Sequence, residues 1–311
     1  MKVFLAGATG VIGRPLTAQL IAAKHEVVAM TRSDQRAADL QNQGATSVVC
    51  DVFDRDNLRR CVEEAQPDAV MHQLTALPKR IDPRRIKTQL AETNRLRTEG
   101  TRNLFDAALA AGAKRFIAQS IAFAYAPGGD GLKTEDDPLY VSPPSSYADI
   151  IGAVHSLEEI TLSSANLPGV VLRYGFFYGP GSVYALDGSA ADDVRRKCFP
   201  IVGNGTGVFS FIHVEDAAAA TMAALEHGEP GIYNIVDDEP APVADWLPVY
   251  AASVGARPPS RVPRWIARLL VGPYAIYLMC DQRGAANGKA KQVLDWAPQY
   301  ATWRDGFITL H

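Results

Sequence analysis

The chain has 311 residues, of which 47% are hydrophobic, so it is long enough for one large α/β domain with a smaller annex. Its 31 basic and 34 acidic residues leave a net charge of -3, which excludes the broad positive field that recruits nucleic acid or an anionic membrane surface. We therefore expect neither a nucleic-acid partner nor a membrane partner.

The four cysteines show neither metal-ligand spacing nor a disulfide framework. We predict no metal site and a reducing, cytoplasmic location. The most apolar long stretch, 266–279, is too short to span a bilayer and is interrupted by Arg268 and Gly272-Pro273. The first residues lack the long apolar core and the cleavage site of a signal peptide.

The first thirteen residues, MKVFLAGATGVIG, place a short apolar strand directly before three glycines. Gly7 allows a sharp exit from the strand, Gly10 lets the main chain approach a pyrophosphate, and Gly13 lets the next helix pack closely. The phosphates would then lie at a helix N-terminus, where free N–H groups favour anions. A purely structural glycine turn is the alternative. The apolar strand before the glycines and the amphipathic run after them favour a dinucleotide site. Its predicted residues here are Gly7, Thr9, Gly10, Val11, Ile12 and Gly13.

Short apolar runs alternate with helical patterns through the first half of the chain, which is typical of an α/β doubly wound parallel sheet, the Rossmann fold. A long helix is predicted over 91–111, ending at Gly112. After Gly179 the alternation breaks down. We predict a dinucleotide-binding domain at 1–175, which also receives 232–237, and a smaller substrate-binding region at 176–311. The predicted strands are 2–6, 26–31, 46–50, 68–72, 115–119, 169–174 and 232–236.

The end of the second strand indicates which nucleotide binds. An acidic residue there would bind the ribose 2′-OH of NAD, whereas an arginine can pair with the 2′-phosphate of NADP. The strand runs into Arg32 and Ser33, and no carboxylate occurs before Asp34. We predict NADP, with NAD possible. A solvated surface arginine is the alternative interpretation.

Several segments occur in an order and spacing that resemble the extended short-chain dehydrogenase/reductase family, which includes NAD(P)-dependent epimerases and dehydratases. They include GATGVIG at 7–13, LRYGFFYGPG at 172–181 and GNGTGVFSFIHVEDAAAA at 203–220. The resemblance implies a Rossmann fold and a nicotinamide cofactor. It also implies further cofactor contacts from Asp51, Val52, Leu74, Thr75, Ala76 and Tyr174.

The catalytic residues of that family are only partly present. The family uses a serine or threonine, a tyrosine that moves a proton, and a lysine four residues after the tyrosine. The tyrosine position is met by Tyr147, but Ile151 stands at the lysine position. Ile121 stands at the serine position, and Ser120 lies one residue earlier, which on a strand means the opposite face. Tyr147 and Ser120 are candidate catalytic residues; a core aromatic and a structural hydroxyl are the alternatives.

Arg97 is the third candidate, because it occupies the place of a family asparagine three residues before Gly100. If it faces the pocket, it could supply the positive charge that Ile151 does not, orienting a carboxylate or enolate or assisting Tyr147. If it faces outward, it is solvated or ion-paired.

The residues expected to contact the substrate differ from those of the epimerases. Phe209 replaces an arginine that grips a nucleotide diphosphate in that branch, and Phe176 replaces an asparagine. An apolar wall cannot compensate a desolvated diphosphate. We predict a pocket for a small apolar or aromatic molecule, with an ordinary core as the alternative. The candidate rings are Phe176, Phe177, Tyr178, Tyr184, Phe209, Trp265, Tyr274 and Tyr277.

The predicted function is an NADP-dependent reductase or dehydrogenase that acts on a carbonyl or alcohol of such a compound with a non-standard catalytic site. The alternatives are an NAD(P)-binding protein without redox turnover, serving as a sensor or partner-binding protein, and a non-redox isomerase or epimerase. A homodimer is also predicted from apolar stripes on two helices. These stripes contain Leu96, Leu104 and Leu109, and Val154, Leu157, Ile160 and Leu162.

Overall fold

The structure, a computed structural model, describes residues 1–129 and 131–308. The last three residues of the predicted region 176–311 therefore lie outside it. The described strands are β1 (Lys2–Ala6), β2 (Glu26–Thr31), β3 (Thr46–Val49), β4 (Ala69–His72), β5 (Arg115–Ile121), β6 (Gly169–Tyr174), β7 (Phe176–Tyr178), β8 (Ile201–Val202), β9 (Val208–Phe209), β10 (Phe211–His213), β11 (Gly231–Ile235), β12 (Ala241–Pro242) and β13 (Arg261–Val262).

Helices alternate with the strands through the first half of the chain. They are α1 (Gly13–Ala22), α2 (Asp34–Asn42), α3 (Arg55–Ala65), α4 (Ile86–Gln89), α5 (Ala91–Arg95), α6 (Thr101–Ala110), α7 (Ser145–Thr161), α8 (Ser189–Arg195), α9 (Val214–Glu226), α10 (Val243–Ser253), α11 (Arg264–Ile276), α12 (Gly288–Leu294) and α13 (Trp303–Ile308).

Within the described residues, seven parallel strands form the main sheet in the order β11-β6-β5-β4-β1-β2-β3. The predicted fold class is confirmed. The order reverses at β1, whose neighbours are β2 and β4. A crevice at such a reversal, beyond the carboxyl ends of the strands, is where doubly wound sheets bind their ligands.

Alternate residues of β1 supply the cores on the two faces of the sheet. Val3 and Leu5 belong to a core shared with α1, α9 and α12. Phe4 and Ala6 belong to a core shared with α3, α6 and α7. This period of two is expected of a strand that is buried on both faces.

The predicted long helix at 91–111 is confirmed as one helical run, but it is not uniform. Between α5 and α6 the backbone makes a π turn over Leu96–Gly100. A π turn widens the helix locally and often marks a functional position. This one contains Arg97.

The C-terminal part of the chain builds a separate hydrophobic cluster around Trp246, Phe211 and Phe307. Helix α11, which packs at the edge of this cluster, is broken at Gly272, where φ is +81°. The division of the chain at residue 175 stays a prediction.

A buried polar network ties α7 to the sheet. Glu158 accepts hydrogen bonds from Arg173 Nε (2.8 Å) and Nη2 (2.6 Å), and from Ser120 Oγ (2.7 Å). Arg173 Nη1 donates to the Tyr125 hydroxyl (2.8 Å), which in turn donates to Asn234 Oδ1 (2.7 Å). The glutamate is 5% exposed and the arginine 3%. The network therefore fixes α7 against β5, β6 and β11 through direct side-chain hydrogen bonds.

The apolar stripes that predict a dimer are largely used inside the subunit. Leu96, Leu104, Val154, Leu157 and Ile160 are buried in the described chain. The other two stripe residues, Leu109 and Leu162, are 40% and 41% exposed. Packing within the subunit thus explains most of the pattern, and the homodimer stays a prediction.

Neither a membrane-spanning helix nor a metal-binding group occurs among the described residues. No helix among them combines the length and the apolar character needed to cross a membrane. No group of three or more His, Cys, Asp or Glu side chains among them is arranged to hold a metal ion.

The network predicts a large stability loss for Glu158→Ala, because the variant leaves the Arg173 charge buried without its partner. We expect a loss of about 3–5 kcal/mol in the free energy of unfolding, measured by urea denaturation. Glu159→Ala is the matched control, since this neighbouring side chain is exposed. It should cost less than about 1 kcal/mol. Equal losses for the two variants would contradict the role given to the network.

Candidate active site

The loop after β1 has the geometry that a dinucleotide site requires. Gly7 has φ +101°, and a Cβ there would lie 2.6 Å from the main-chain carbonyl of Gln73. A Cβ on Gly13 would lie 2.0 Å from the Gly7 carbonyl oxygen. Only glycine fits at these two positions, because the loops after β1 and β4 and the start of α1 pack backbone to backbone.

The N-terminus of α1 is open to an anion. The helix has no side-chain cap at Ile12, and Gly10 and Val11 before it are exposed. The half-buried Thr9 completes the turn. Uncapped N–H groups at the start of a helix are donors for phosphate oxygens, so the residues present fit a pyrophosphate.

Arg32 lies directly after β2 with an exposed side chain, and its Nη1 is 3.4 Å from Glu92 Oε1. An exposed pair of this length holds the arginine weakly, so its guanidinium is free to meet another anion. Ser33 caps α2 by accepting the N–H of Arg36. In the next loop, Asp51 Oδ1 accepts the N–H of Phe53 (2.9 Å), which fixes the turn.

The backbone after β4 is held by side chains that the sequence did not single out. Leu74 N–H donates to His72 Nδ1 (3.2 Å), and Gln119 Nε2 donates to the Leu74 carbonyl (2.9 Å). Ala76 N–H donates to Thr93 Oγ1 (3.2 Å), with Thr75 exposed between them. Residues 74–76 are thus presented in a fixed conformation. Val52 is fixed similarly, because its carbonyl accepts a hydrogen bond from Asn103 Nδ2 (3.0 Å).

Tyr174, predicted to contact the cofactor, is buried. Its hydroxyl pairs with Thr221 Oγ1 (2.7 Å) and accepts a hydrogen bond from Gln73 Nε2 (3.3 Å). The side chain is therefore occupied within the core, and its role at the cofactor stays a prediction. The neighbouring Gln73 is also buried, and its Oε1 has no hydrogen-bond partner among the described residues.

Tyr147 lies at the start of α7 and is fully buried. Its hydroxyl donates to the main-chain carbonyl of Phe123 (2.8 Å), and its ring packs on Tyr274 and Tyr277 at centroid distances of 4.8 and 5.3 Å. Burial raises the pKa of the phenol well above 10. Ile151, at the position of the family's lysine, is also buried. The phenol is therefore neutral and already hydrogen-bonded.

Ser120 does not accompany Tyr147. Its hydroxyl donates to Glu158 and belongs to the buried network under α7. The structural alternative for this hydroxyl fits the geometry, and its candidate catalytic role has no support in these contacts. The cause is the one expected from the strand: a shift of one residue turns the side chain to the opposite face of β5.

Arg97 is buried, so the outward-facing alternative is wrong. The side chain is 8% exposed, and its Nη1 has no hydrogen-bond partner among the described residues. Burial lowers the pKa of the guanidinium. Burial also raises the pKa of Tyr147 and Tyr274, and the Arg97 charge opposes that rise in both. Arg97 therefore lies beside the candidate catalytic tyrosine.

The phenyl rings of Phe123, Phe176 and Phe209 form a stack next to the tyrosine cluster. The Phe123 and Phe176 centroids are 4.3 Å apart, and those of Phe176 and Phe209 are 4.2 Å apart. Phe123 and Phe176 remain partly exposed, whereas Phe209 is buried. The stack and the tyrosine cluster meet at Phe123. Together they form what we call the aromatic wall: Phe123, Phe176, Phe209, Tyr147, Tyr274 and Tyr277.

The remaining candidate rings lie elsewhere. Tyr178 and Tyr184 are buried in the C-terminal cluster. Phe177 packs on Tyr174, with centroids 5.4 Å apart. Trp265 is 68% exposed on α11. These four belong to the core or the surface and not to the aromatic wall.

Sequence reasoning missed Phe123. Phe123 acts through a main-chain carbonyl and a stacked ring, which leave no motif. Asn94 Oδ1, like Gln73 Oε1, is buried without a partner among the described residues. Buried polar atoms are normally satisfied, so such unpaired atoms at a sheet's carboxyl edge indicate a ligand. Asn94 lies one turn before Arg97 in the same helical run, and this position is the sequence signal that either side chain could point toward the cofactor.

Comparisons with known proteins agree with this geometry. A family model described as the NAD dependent epimerase/dehydratase family matches residues 3–236. A 3-diazoavenalumate denitrifying reductase from Streptomyces sp is 47% identical over 308 residues, which are 98% of this chain and 99% of that protein. A 4-hydroxy-2-methyl-3-oxo-4-farnesyl-3,4-dihydroquinoline-1-oxide ketoreductase from Stigmatella aurantiaca is 27% identical over 262 residues, 83% of this chain and 74% of that protein.

The fold of this chain is similar to that of a solved human protein. The human epimerase family protein SDR39U1 (isoform 2), solved with NADPH, has a TM-score of 0.75 to this chain at 21% identity. The match covers 100% of this chain and 99% of that one. At this identity the likeness concerns the fold alone.

His72 gives a pH prediction. Burial lowers its pKa to about 4, and the Arg97 charge adds to that. The unfolded histidine titrates near 6.5. As the pH falls, the unfolded state therefore binds a proton on His72 before the folded state does. The neutral, buried His72 contributes about 3 kcal/mol to the free energy of unfolding above pH 6.5, and this contribution is lost as the pH falls to 4. His213 has a similarly lowered pKa and should add to the slope.

Urea unfolding at several pH values between 7.5 and 4 tests this. His72→Asn should make the loss of stability shallower than in the wild type. His155→Asn, at an exposed position, is the control and should leave the slope unchanged. An unchanged slope in the His72 variant would show that this histidine titrates normally.

Proposed function

We propose a function for this chain from one premise: it belongs to the NAD-dependent epimerase/dehydratase family. The chain is an enzyme, an oxidoreductase that uses a nicotinamide cofactor. We infer that it is an NADPH-dependent reductase of a small aromatic compound. The bound dinucleotide would supply a hydride, which is one hydrogen with two electrons.

The observation that carries the proposal is the state of Tyr147. Its hydroxyl is bonded to the Phe123 carbonyl, and burial keeps its pKa well above 10. Isoleucines stand at positions 121 and 151, where the family has its serine and its lysine. A site in this state lacks a ready proton relay. It suits a reduction that hydride transfer completes without a proton from the enzyme.

Reductive removal of a diazo group is such a reaction. The substrate carbon that carries the diazonium group accepts the hydride, the C–N bond breaks, and N₂ leaves with the electron pair of that bond. A diazonium cation and a hydride thus give a C–H bond and N₂, and no proton is consumed. The printed name of the relative that is 47% identical describes a denitrifying reduction of a diazo compound.

The aromatic wall supports the substrate side of the proposal. The stack leaves Phe123 and Phe176 partly exposed. Phe176 lies between Phe123 and Phe209, so the accessible apolar surface is that of Phe123 and the edge of Phe176. A planar conjugated molecule gains contact area and stacking energy on such a surface. The nucleotide diphosphate of the epimerases would lose its hydration there without a charged partner from position 209.

The direct test is to incubate the protein with NADPH and 3-diazoavenalumate. We expect the loss of NADPH absorbance to match the N₂ released, mole for mole. NADPH oxidation without N₂, or no oxidation at all, would refute the denitrifying reaction.

Carbonyl reduction is the second candidate, because Tyr147 is retained and one relative is named a ketoreductase. This reaction does need a proton, which the alkoxide takes up after hydride transfer. The alternatives of a cofactor-binding protein without turnover and of a non-redox isomerase gain no support from relatives that are named reductases.

Tyr147→Phe separates the two candidates. If hydride transfer alone completes the reaction, turnover of the diazo substrate should stay within about 10-fold of the wild type. If Tyr147 donates a proton to a ketone, turnover should fall by about 10²–10⁴. Tyr140→Phe is the matched control, since Tyr140 packs on Tyr277 in the same cluster (5.2 Å). Steady-state NADPH oxidation with both substrates gives the answer.

NADP specificity is part of the proposal and rests on Arg32. Arg32→Ala should weaken NADPH binding by roughly 1–3 kcal/mol, the range for a charge-assisted contact, and leave NADH binding nearly unchanged. Arg55→Ala is the control, because Arg55 is equally exposed and forms a similar 3.4 Å ion pair with Asp106. Calorimetry with both cofactors is the measurement. Equal losses for NADPH and NADH would remove Arg32 from the 2′-phosphate site.

A further inference from the structure

We propose that Arg97 binds an anionic group of the substrate, so that the substrate class is an aromatic or conjugated carboxylate. The inference rests on the proposed function, in which a small aromatic compound lies on the aromatic wall. It adds the residue that recognises the charged end of that compound.

The first support is that Arg97 lacks a partner. Its side chain is 8% exposed, and Nη1 is buried with no acceptor among the described residues. A buried cation without a counter-ion is costly, and such a charge normally carries a partner or a ligand. The buried, unpaired guanidinium is therefore a candidate group for binding an anion.

The second support is that the acidic groups near Arg97 are already engaged. Both oxygens of Glu158 bind Arg173, and one of them also accepts the Ser120 hydroxyl. The Tyr147 hydroxyl donates to the Phe123 carbonyl and stays protonated. No described carboxylate lies within ion-pair distance of Arg97. The missing anion has to come from a ligand.

The third support is position. Arg97 lies in the π turn between α5 and α6, and its charge acts on Tyr147, on Tyr274 and on His72, the last residue of β4. The turn that carries Arg97 packs against α7, so the guanidinium lies near Tyr147 at the start of that helix. A planar acid could place its ring on the wall and its carboxylate on Arg97.

The chemistry of the side chain selects the ligand. Arginine presents parallel N–H donors that match both oxygens of a carboxylate. The surrounding rings favour a conjugated body. A neutral amide of the same shape lacks the charge and cannot form the ion pair.

The test measures binding and needs no turnover. The protein saturated with NADP⁺ is titrated by calorimetry with cinnamate and with cinnamamide, which differ only in the charged end. We expect wild-type protein to bind cinnamate at least 10-fold more tightly than cinnamamide. Arg97→Met should remove this preference by weakening cinnamate binding roughly 10–100-fold. Arg95→Met, which removes an exposed arginine of the same helical run, should behave as the wild type.

A stability measurement distinguishes recognition from a structural role. Without ligand, Arg97→Met should raise the melting temperature by roughly 2–4 °C, because the variant removes a buried unpaired charge. Cinnamate should raise the melting temperature of the NADP⁺-loaded wild type and not that of Arg97→Met. Arg97→Lys keeps the charge but loses the paired donors, and its preference for cinnamate should be intermediate.

Three results would overturn the inference: equal affinity of the wild type for cinnamate and cinnamamide, an unchanged preference in Arg97→Met, or a loss of NADP⁺ binding in that variant with cinnamate binding intact. The last would assign Arg97 to the cofactor. If the wild type prefers cinnamate but releases no N₂ from a diazo substrate, the anion site stands and the proposed reaction fails.

Discussion

Two buried arginines lie close to helix α7, but only one of them, Arg173, is paired with the buried carboxylate of Glu158. Glu158 gives both oxygens to Arg173 and one of them also to Ser120, which locks α7 onto β5 and β6. Arg97 is left without a counter-ion. Tyr147 lies in the first turn of the same helix, so the pair that anchors α7 also places the phenol beside the second arginine. This excess of positive charge, held in a low-dielectric interior, is the constraint from which the properties of the site follow.

The positive charge near Tyr147 comes from Arg97, whereas the family resemblance implies a lysine at position 151. A lysine at position 151 would stand on α7, one turn from the phenol, where it would favour the phenolate. Ile151 is apolar and buried, and the positive charge comes from a neighbouring helical run instead. At that place it does not bring the phenol toward ionisation, because burial outweighs its effect on the Tyr147 pKa. A charge that leaves the phenol neutral is available for a substrate anion.

The fold could be predicted from the sequence because its signals are local. Val3 to Ala6 must form a buried strand, and Gly7 and Gly13 fit only where backbones nearly touch. The displacement of Ser120 was also predictable, since a strand alternates its faces with a period of two. The direction of Arg97 was not predictable, because the π turn rotates this part of the helix relative to a regular α-helix. Phe123 was missed for another reason: its acceptor is a carbonyl, which every residue carries.

The hydrogen bond from Tyr147 to Phe123 also concerns the access of water to the aromatic wall. It joins the tyrosine cluster to the phenylalanine stack at Phe123. A diazonium carbon reacts with water as well as with hydride, so a site for its reduction has to keep water away until the hydride arrives. Isoleucines at positions 121 and 151 add no side-chain hydrogen-bonding groups to this region, unlike the serine and lysine that the family resemblance implies there. The apolar residues at these two positions and the aromatic wall are consistent with the proposed reduction, which needs no proton from the enzyme.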